Sequence, residues 1–155
     1  MSKTAWVIRA MRHDDLPVIL KIERQSPSPW SLGQLEGELY TDHGWSFTAC
    51  DPTGDVPIGF ILGRTVTDEA EILKLGILRE HRRQGIAQLL IDHITDILRR
   101  QKVGQCFLEL RRSNEAAYRL YEKNYFTVTA VRKNYYTDPK EDAICMNKTL
   151  EDLKP

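Results

Sequence analysis

The sequence lacks an excess of charge of either sign, because its 155 residues carry 22 basic and 22 acidic side chains. A balanced charge excludes the bulk electrostatic attraction by which many proteins bind nucleic acid. The chain also lacks an apolar run of membrane-spanning length, and residues 1–6 lack the apolar core of a signal peptide. We therefore expect one cytoplasmic domain, residues 1–155, that binds no membrane and contacts no nucleic acid directly.

Cysteine is scarce as well, and its spacing does not fit a metal site. Cys50, Cys106 and Cys145 are odd in number, far apart and without Cys-x-x-Cys spacing. This pattern argues against a disulfide framework and against a zinc site, and we expect no metal. Each cysteine has apolar neighbours, so we expect three small buried side chains rather than a catalytic thiol.

Short apolar runs alternate with segments of helical periodicity, without repeats, low-complexity tracts or linkers. Apolar residues at helical spacing predict four helices, which begin near residue 12, at Ser31, near Gly85 and at Ser113. The short runs predict strands at residues 7–8, 45–50, 58–63, 71–78, 103–111, 126–131 and 143–148. The predicted fold is α+β, with a mixed, mainly antiparallel twisted sheet and helices on both sides.

One stretch joins a strand, a basic turn and a helix. In the strand, Gly76 interrupts an apolar run, and such a glycine often marks a bulge or a close approach of a ligand to the backbone. Arg82 and Arg83 precede a helix N-terminus, where unpaired N–H groups and a partial positive charge favour a phosphate. Gly85 and Ala87 are small enough to let a pyrophosphate approach the backbone. A basic turn before a helix is nevertheless more often solvated surface, so the turn alone leaves both interpretations open.

The spacing of this turn, Arg82-x-x-Gly85-x-Ala87 directly after a strand, resembles the acetyl-CoA-binding motif of the GNAT acyltransferase superfamily. It fits neither the dinucleotide fingerprint Gly-x-Gly-x-x-Gly nor a P-loop. Residues 108–126, which begin Leu-Glu-Leu-Arg-Arg-Ser-Asn, together with residues 132–136 and 141–146 resemble the RimI family within that superfamily. This family acetylates the N-terminal alanine of small-subunit ribosomal protein eighteen. The likeness covers nearly the whole chain, including residues 29–31.

The resemblance implies the roles of several residues. It makes Glu109 the general base and Tyr121 the general acid. For acetyl-CoA it implies that the backbone of Leu75, Gly76 and Ile77 lies along the pantetheine and that Asn114 also contacts the cofactor. The pyrophosphate is expected at the turn that comprises Arg83, Gln84, Gly85, Ile86, Ala87 and Gln88. Loops between rigid elements often contact substrates, and the acceptor is expected beside three aromatic residues, Trp30, Tyr135 and Tyr136.

The reaction itself requires a base and an acid. An N-terminal ammonium has a reference pKa near 7.7 to 8.0, so it must lose a proton before it attacks a thioester. A glutamate can accept that proton directly or through a water, and a tyrosine hydroxyl can supply a proton or hydrogen bond to the departing CoA thiolate. The sequence offers no Ser-His-Asp or Cys-His constellation for an acyl-enzyme, so we expect direct attack in a ternary complex.

Simpler interpretations of these residues remain open at this point. Glu109 is equally compatible with a salt bridge to Arg111 or Arg132, and Tyr121 with a core aromatic whose hydroxyl reaches the surface. Asn114 can cap a helix, and the three aromatic residues of the acceptor region can be plain packing. The alternative functions are acetylation of a lysine or of a small amine, such as a polyamine or aminoglycoside, and acyl-CoA binding without catalysis.

The chain departs from the family pattern at three places. Tyr125 stands where relatives usually have glycine, which predicts a shifted turn before Phe126. Residues 78–79 replace a frequent Asp-Pro, and Ala87 replaces the second small glycine. None of these changes removes a proposed chemical group.

Overall fold

A computed structural model describes residues 5–150 and shows a seven-stranded sheet with helices on both faces. The strands are β1 Val7–Ala10, β2 Gly44–Cys50, β3 Pro57–Val66, β4 Glu69–Ile77, β5 Gln105–Arg111, β6 Thr127–Tyr136 and β7 Glu141–Thr149, in the sheet order β1-β2-β3-β4-β5-β7-β6. The helices are α1 Leu16–Glu23, α2 Leu32–Leu39, α3 Ile86–Arg100 and α4 Glu115–Lys123. Only β4 and β5 pair in parallel, so the predicted mixed, mainly antiparallel sheet is confirmed.

The two faces of the sheet carry separate apolar clusters. One cluster joins α3 and α4 to the sheet and includes Leu90, Ile94 and Leu108. The other joins α1 and α2 to the opposite face and includes Ile19 and Phe60. Strand β5 alternates as expected, since Cys106, Leu108 and Leu110 are buried in the first cluster whereas Phe107 and Glu109 on the other face are only partly covered.

The first helix begins later than the sequence pattern indicates. Residues His13–Asp15 form a single 3-10 turn, and α1 starts at Leu16 with a proline in its first turn. The Asp15 carboxylate accepts a hydrogen bond from the Arg12 amide at 2.7 Å and pairs with Arg9 at 2.7 Å, which holds this turn against β1. The predicted cap of α2 is confirmed, because the Ser31 hydroxyl accepts from the Gln34 amide at 3.2 Å.

Strands β6 and β7 are longer than predicted. The expected strands at 126–131 and 143–148 extend to Tyr136 and back to Glu141, so residues 137–140 form the turn of a hairpin. Two irregularities in register bend this hairpin, between Val128 and Ala130 and between Arg132 and Tyr136. The residues between the two predicted strands therefore belong to the sheet, apart from the turn at 137–140.

Two of the three cysteines are buried as predicted, and one is not. Cys50 and Cys106 are inaccessible, and burial raises the pKa of the Cys106 thiol to about 12, which removes it as a nucleophile at neutral pH. Cys145 is only partly buried, so the expectation was wrong there. The reason is its place on β7, where it pairs with Glu109 on one side and with the exposed edge strand β6 on the other.

Candidate active site

The site is organised by a gap between the two parallel strands. β4 and β5 pair only from Glu69 with Gln105 to Ile72 with Leu108. Beyond this point β4 continues to Ile77 beside β3, and β5 continues to Arg111 beside β7, but the two are no longer paired with each other. A shift in the β3–β4 register at Leu73 marks the place where they separate.

The predicted pantetheine contacts, Leu75, Gly76 and Ile77, lie on the part of β4 that borders this gap. Their backbone edge faces no other strand among residues 5–150, so its N–H and C=O groups can pair with an extended ligand. Gly76 has a further reason to be glycine, since a Cβ there would lie 2.9 Å from both Ile22 and Phe60. The bulge that a glycine suggested at residue 76 occurs instead at Leu73.

The basic turn leads from β4 into α3 through two residues with left-handed backbone. Arg83 has a φ of 62° and Gly85, the N-cap of α3, has a φ of 79°. Arg82 donates a hydrogen bond from Nε to the carbonyl of Ile77 at 3.2 Å, which ties the turn to the end of β4. Arg83, Gln84 and Gly85 are exposed. Arg82, although also exposed, therefore anchors the turn to β4.

The first turn of α3 presents backbone donors. The first helical hydrogen bond runs from the Leu89 amide to the Gly85 carbonyl at 3.1 Å, so the amides of Ile86, Ala87 and Gln88 have no helical acceptor. Because the helix dipole adds partial positive charge at this end, the turn suits a pyrophosphate.

Two of the expected cofactor residues use part of their side chains for structure. The Gln88 side chain exchanges hydrogen bonds with Asn124 at 2.7 and 2.9 Å and donates to Asp92 at 2.8 Å, so it ties α3 to the end of α4. Asn114 is the N-cap of α4, and its side-chain oxygen accepts from the Ala117 amide at 3.2 Å. Capping uses only the oxygen of Asn114 and leaves its NH₂ group for a ligand, whereas Gln88 can contribute through its backbone amide.

Glu109 is the first residue of β5 after the pairing with β4 ends. Its side chain is 27% exposed, and one carboxylate oxygen lies 3.6 Å from Arg132 on β6. Of the two salt bridges considered from sequence, the one with Arg132 is present. Arg132 is itself 57% exposed, so solvent weakens this ion pair and it contributes little to stability.

Tyr121 lies on α4, on the opposite side of the sheet from Glu109. It is 6% exposed and packs edge-to-face on Phe126, with ring centroids 5.5 Å apart. Burial raises the pKa of its hydroxyl well above the usual value, so the hydroxyl stays protonated at neutral pH. The gap between β4 and β5 thus interrupts the sheet that separates the face of Glu109 from the face of Tyr121.

The loop between α1 and α2, residues 24–31, is held from the β4 side by a buried ion pair. Glu23 is 4% exposed, accepts from the Trp30 amide at 2.7 Å and lies 3.1 Å from the ammonium of Lys74. Lys74 also lies 5.2 Å from the Trp30 ring centroid. Trp30 is thus half-buried in a fixed loop beside the gap, which is compatible with both packing and acceptor contact.

Tyr135 and Tyr136, at the end of β6, lie close to Glu109. Their rings pack edge-to-face at 5.2 Å. The negative charge of Glu109 raises the pKa of Tyr135, and burial, followed by the same charge, raises the pKa of Tyr136 to about 12. The structure therefore brings this pair to the same face as the predicted base, 49% of Tyr135 being exposed to an incoming ligand.

Sequence reasoning missed Arg111, which it considered only as a partner of Glu109. The side chain is 7% exposed and contacts the 24–31 loop and the turn of the β6–β7 hairpin. A single arginine at a strand end gives no local pattern from which these distant contacts follow.

The described part of the chain contains neither a cluster of three metal-binding side chains nor a helix that could cross a membrane. The groups assembled at the gap are backbone amides, a carboxylate, phenols and guanidinium groups. Such a set can bind a phosphate-bearing ligand and move a proton.

Comparisons with known proteins agree with this geometry. Residues 10–126 match the family described as Acetyltransferase (GNAT) family. The [Ribosomal protein bS18]-alanine N-acetyltransferase of Escherichia coli K12 is 33% identical over 145 residues, 90% of this chain and 94% of that protein. The crystal structure of the ribosomal-protein-S18-alanine N-acetyltransferase from Escherichia coli superposes with a TM-score of 0.87 at 30% identity, covering 97% of this chain and 100% of that one.

A solved structure of Arabidopsis thaliana NAA60 in complex with acetyl-CoA has a TM-score of 0.82 at 19% identity, covering 94% of this chain and 98% of that one, and shares the fold. With the family match over most of the sequence and the relative at 33% identity, the assignment does not depend on this more distant structure. The chain is an acetyltransferase and belongs to the GNAT family.

Proposed function

We propose that the chain transfers an acetyl group from acetyl-CoA to the N-terminal α-amino group of a protein. The proposed acceptor is the N-terminal alanine of ribosomal protein bS18, and the amine attacks directly in a ternary complex. The observation that carries the proposal is the gap between β4 and β5, with the amides of α3 at one end and Glu109 where the gap opens.

The cofactor half of the proposal rests on backbone groups. The amides of residues 86–88 and the left-handed turn at Arg83 and Gly85 would hold the pyrophosphate of acetyl-CoA. The free edge of β4 at residues 75–77 would pair with the pantetheine, and Asn114 would add its side-chain NH₂ group. Acetyl-CoA supplies the activated acyl group.

The proton transfers rest on two side chains. Glu109 would accept the proton that the acceptor ammonium must lose, directly or through a water. Tyr121 would donate a proton or hydrogen bond to the CoA sulfur as it leaves, and its raised pKa keeps the donor protonated. Trp30, Tyr135 and Tyr136 would line the acceptor site, because all three lie in elements that border the face of Glu109.

The choice of acceptor follows from the Escherichia coli relative, whose name states the bS18 alanine. A direct test uses a peptide that copies the bS18 N-terminus and contains an internal lysine. The matched control is the same peptide with its N-terminus already acetylated, and spermidine is a third acceptor. We expect mass spectrometry to find that the enzyme adds one acetyl group to the α-amine of the free peptide and adds no acetyl group to the control peptide.

Two results would contradict the proposal. Faster acetylation of spermidine or of the lysine than of the α-amine would assign a different acceptor. Tight binding of acetyl-CoA without transfer to any of the acceptors would indicate a binding module.

A further inference from the structure

Arg111 connects two loops that are far apart in sequence. Its Nε donates to the Ser28 hydroxyl at 3.2 Å, and a second nitrogen of the same guanidinium also contacts that hydroxyl. The two terminal nitrogens donate to the carbonyls of Pro139 at 2.9 Å and Thr137 at 3.0 Å. One buried side chain therefore holds both the 24–31 loop and the 137–140 turn.

The same guanidinium lies against an aromatic ring of the acceptor region. Its central carbon is 4.6 Å from the ring centroid of Tyr136, which places the cation over the ring face. Arg111 follows Glu109 by two residues on β5, so both side chains lie on one face of the sheet. Arg111 therefore contacts Tyr136 on the same face of the sheet as Glu109.

Ser28 is held from both sides of the gap. The Lys74 ammonium on β4 donates to the Ser28 carbonyl at 3.1 Å, while Arg111 on β5 binds its hydroxyl. Each of the two diverging strands therefore supplies one cation to the same residue. The 24–31 loop is fixed across the mouth of the gap.

These contacts make the connection stiff. The counter-charge of the guanidinium is Glu141 on β7, 3.4 Å from a terminal nitrogen, and the loops satisfy its other donors. A buried guanidinium is costly unless its donors are paired, so separating either loop from Arg111 leaves donors unsatisfied. A loop that is already ordered loses less conformational entropy when a ligand binds. The acceptor would therefore bind between the 24–31 loop and the 137–140 turn, both of which are already ordered.

We propose that Arg111 is a positioning residue for the acceptor, acting through Ser28 and Tyr136 to keep the 24–31 loop and the 137–140 turn at the separation that a polypeptide N-terminus requires. This inference rests on the proposed function. It assigns no chemical step to Arg111, which affects the reaction through the residues that it holds.

The test compares Arg111→Lys and Ser28→Ala with Arg112→Lys. Arg112 is the adjacent arginine, 66% exposed, and its side chain also reaches β7, through Asp142 at 3.3 Å, but not the 24–31 loop. We expect the KM for the bS18 peptide to rise about tenfold in Arg111→Lys, equal to about 1.4 kcal/mol, and about threefold in Ser28→Ala, which loses the hydroxyl alone. The kcat and the Kd for acetyl-CoA should stay within about twofold, and Arg112→Lys should match wild type.

Hydrogen exchange supplies a second readout that needs no acceptor. Ser28→Ala should speed exchange in residues 137–142, although the substitution is in the other loop, and Arg112→Lys should not. If exchange there is unchanged, the two loops are not coupled and the inference fails. If exchange rises while the peptide KM stays at the wild-type value, the coupling is structural only and the positioning role fails.

The two proposals fail in different ways. A wild-type protein that acetylates no N-terminus contradicts the proposed function and with it the acceptor role of Arg111, whatever the exchange data show. A wild-type protein that acetylates the peptide, together with variants of unchanged KM, overturns the inference alone.

Discussion

The two sides of the gap between β4 and β5 differ in the chemical groups that form them. The proposed cofactor side consists mainly of backbone groups from one continuous stretch, residues 75–88. The proposed acceptor side depends on side-chain contacts between residues far apart in sequence, since Arg111 reaches the Ser28 hydroxyl across 83 residues and the Pro139 carbonyl across 28. A site made of local backbone leaves a short motif in the sequence, whereas a site made of distant side chains leaves none.

The two sides should also differ in which kinetic quantity their residues control. Substitutions on the cofactor side should change the affinity for acetyl-CoA, because the groups there only hold the ligand. Substitutions near Glu109 should change turnover or acceptor binding and leave that affinity alone. This division fails if a variant on the cofactor side changes turnover or acceptor binding, or if a variant on the acceptor side changes the affinity for acetyl-CoA.

Glu109→Gln should have the largest effect. Loss of a general base typically costs about 10² to 10⁴ in rate, so we expect kcat to fall at least about 100-fold at pH 7, with the Kd for acetyl-CoA unchanged. The remaining activity should rise with pH through about 8, because an acceptor that loses its proton to solvent no longer needs the base. A pH profile of kcat measures both.

Arg132→Gln is the matched control for Glu109. If Glu109 serves only its ion pair with Arg132, removing either partner should have the same small effect. We expect Arg132→Gln to keep kcat within a few-fold of wild type. Equal losses in the two variants would contradict the assignment of Glu109 as the base.

Tyr121→Phe should come next. The ring packing on Phe126 is preserved, so the melting temperature should be unchanged, while kcat falls about 100-fold if the hydroxyl assists departure of the CoA thiolate. Because burial raises the pKa of this hydroxyl, its protonated form persists as pH rises. Wild-type activity should therefore show no alkaline decline below about pH 10, the ordinary tyrosine value.

Tyr118→Phe, at a half-buried tyrosine one turn before Tyr121 in the same helix, controls for the loss of a hydroxyl in α4. It should match wild type in kcat. A fall in melting temperature in Tyr121→Phe, without a fall in kcat, would make Tyr121 a core residue.

The fold and the position of the turn before α3 were predictable because their signals are local. Periodicity located the strands and helices, and the turn spacing located the N-terminus of α3 within one residue of Gly85. The side-chain hydrogen bonds of Gln88 could not be predicted, since they depend on Asn124 in another part of the chain. Asn114 could be recognised as a cap because the acceptor and donor are three residues apart.

The acceptor side was predictable only in outline. Tyr135 and Tyr136 were placed near the acceptor by resemblance, but the hairpin that carries them was not, because bulged strands lose the regular alternation that marks a strand. Arg111 was missed since its partners in the two loops are carbonyl groups and one hydroxyl, which any sequence can supply. The depth of burial that makes it informative exists only in three dimensions.

Gly85→Ala tests whether the cofactor side depends on backbone shape. Gly85 has a φ of 79° and open space around the position of a Cβ, so the substitution brings strain without a clash. Alanine in the left-handed conformation costs about 1 to 2 kcal/mol, so the turn of the free variant should relax to another conformation. Binding of acetyl-CoA must then restore the left-handed conformation, and the Kd for acetyl-CoA should rise about tenfold. At saturating acetyl-CoA the peptide KM should be unchanged.

Gly37→Ala provides the matched glycine. It lies inside α2, has nothing within 4 Å of the Cβ position and shows no positive φ. The variant should gain about 0.5 to 1 kcal/mol of stability and keep the wild-type Kd. Titration calorimetry with acetyl-CoA compares the two, and an equal Kd for both would mean that the shape of the turn is unimportant.

Tyr125→Asn should have the smallest effect, because Tyr125 lies outside both sides of the gap. The chain adopts a left-handed conformation here, with a φ of 70°, at a tyrosine that is 81% exposed. Asparagine tolerates this conformation better than tyrosine, and it gives up only a weak interaction of the ring with the Lys148 ammonium, 6.0 Å from the ring centroid. We expect a gain in stability of under about 1 kcal/mol, a rise in melting temperature of about 2 to 4 °C at most, and unchanged kinetics. Tyr40→Asn, at an exposed tyrosine with a φ of −106°, should give no gain, so an equal rise in both variants would show that backbone strain at Tyr125 is not the cause.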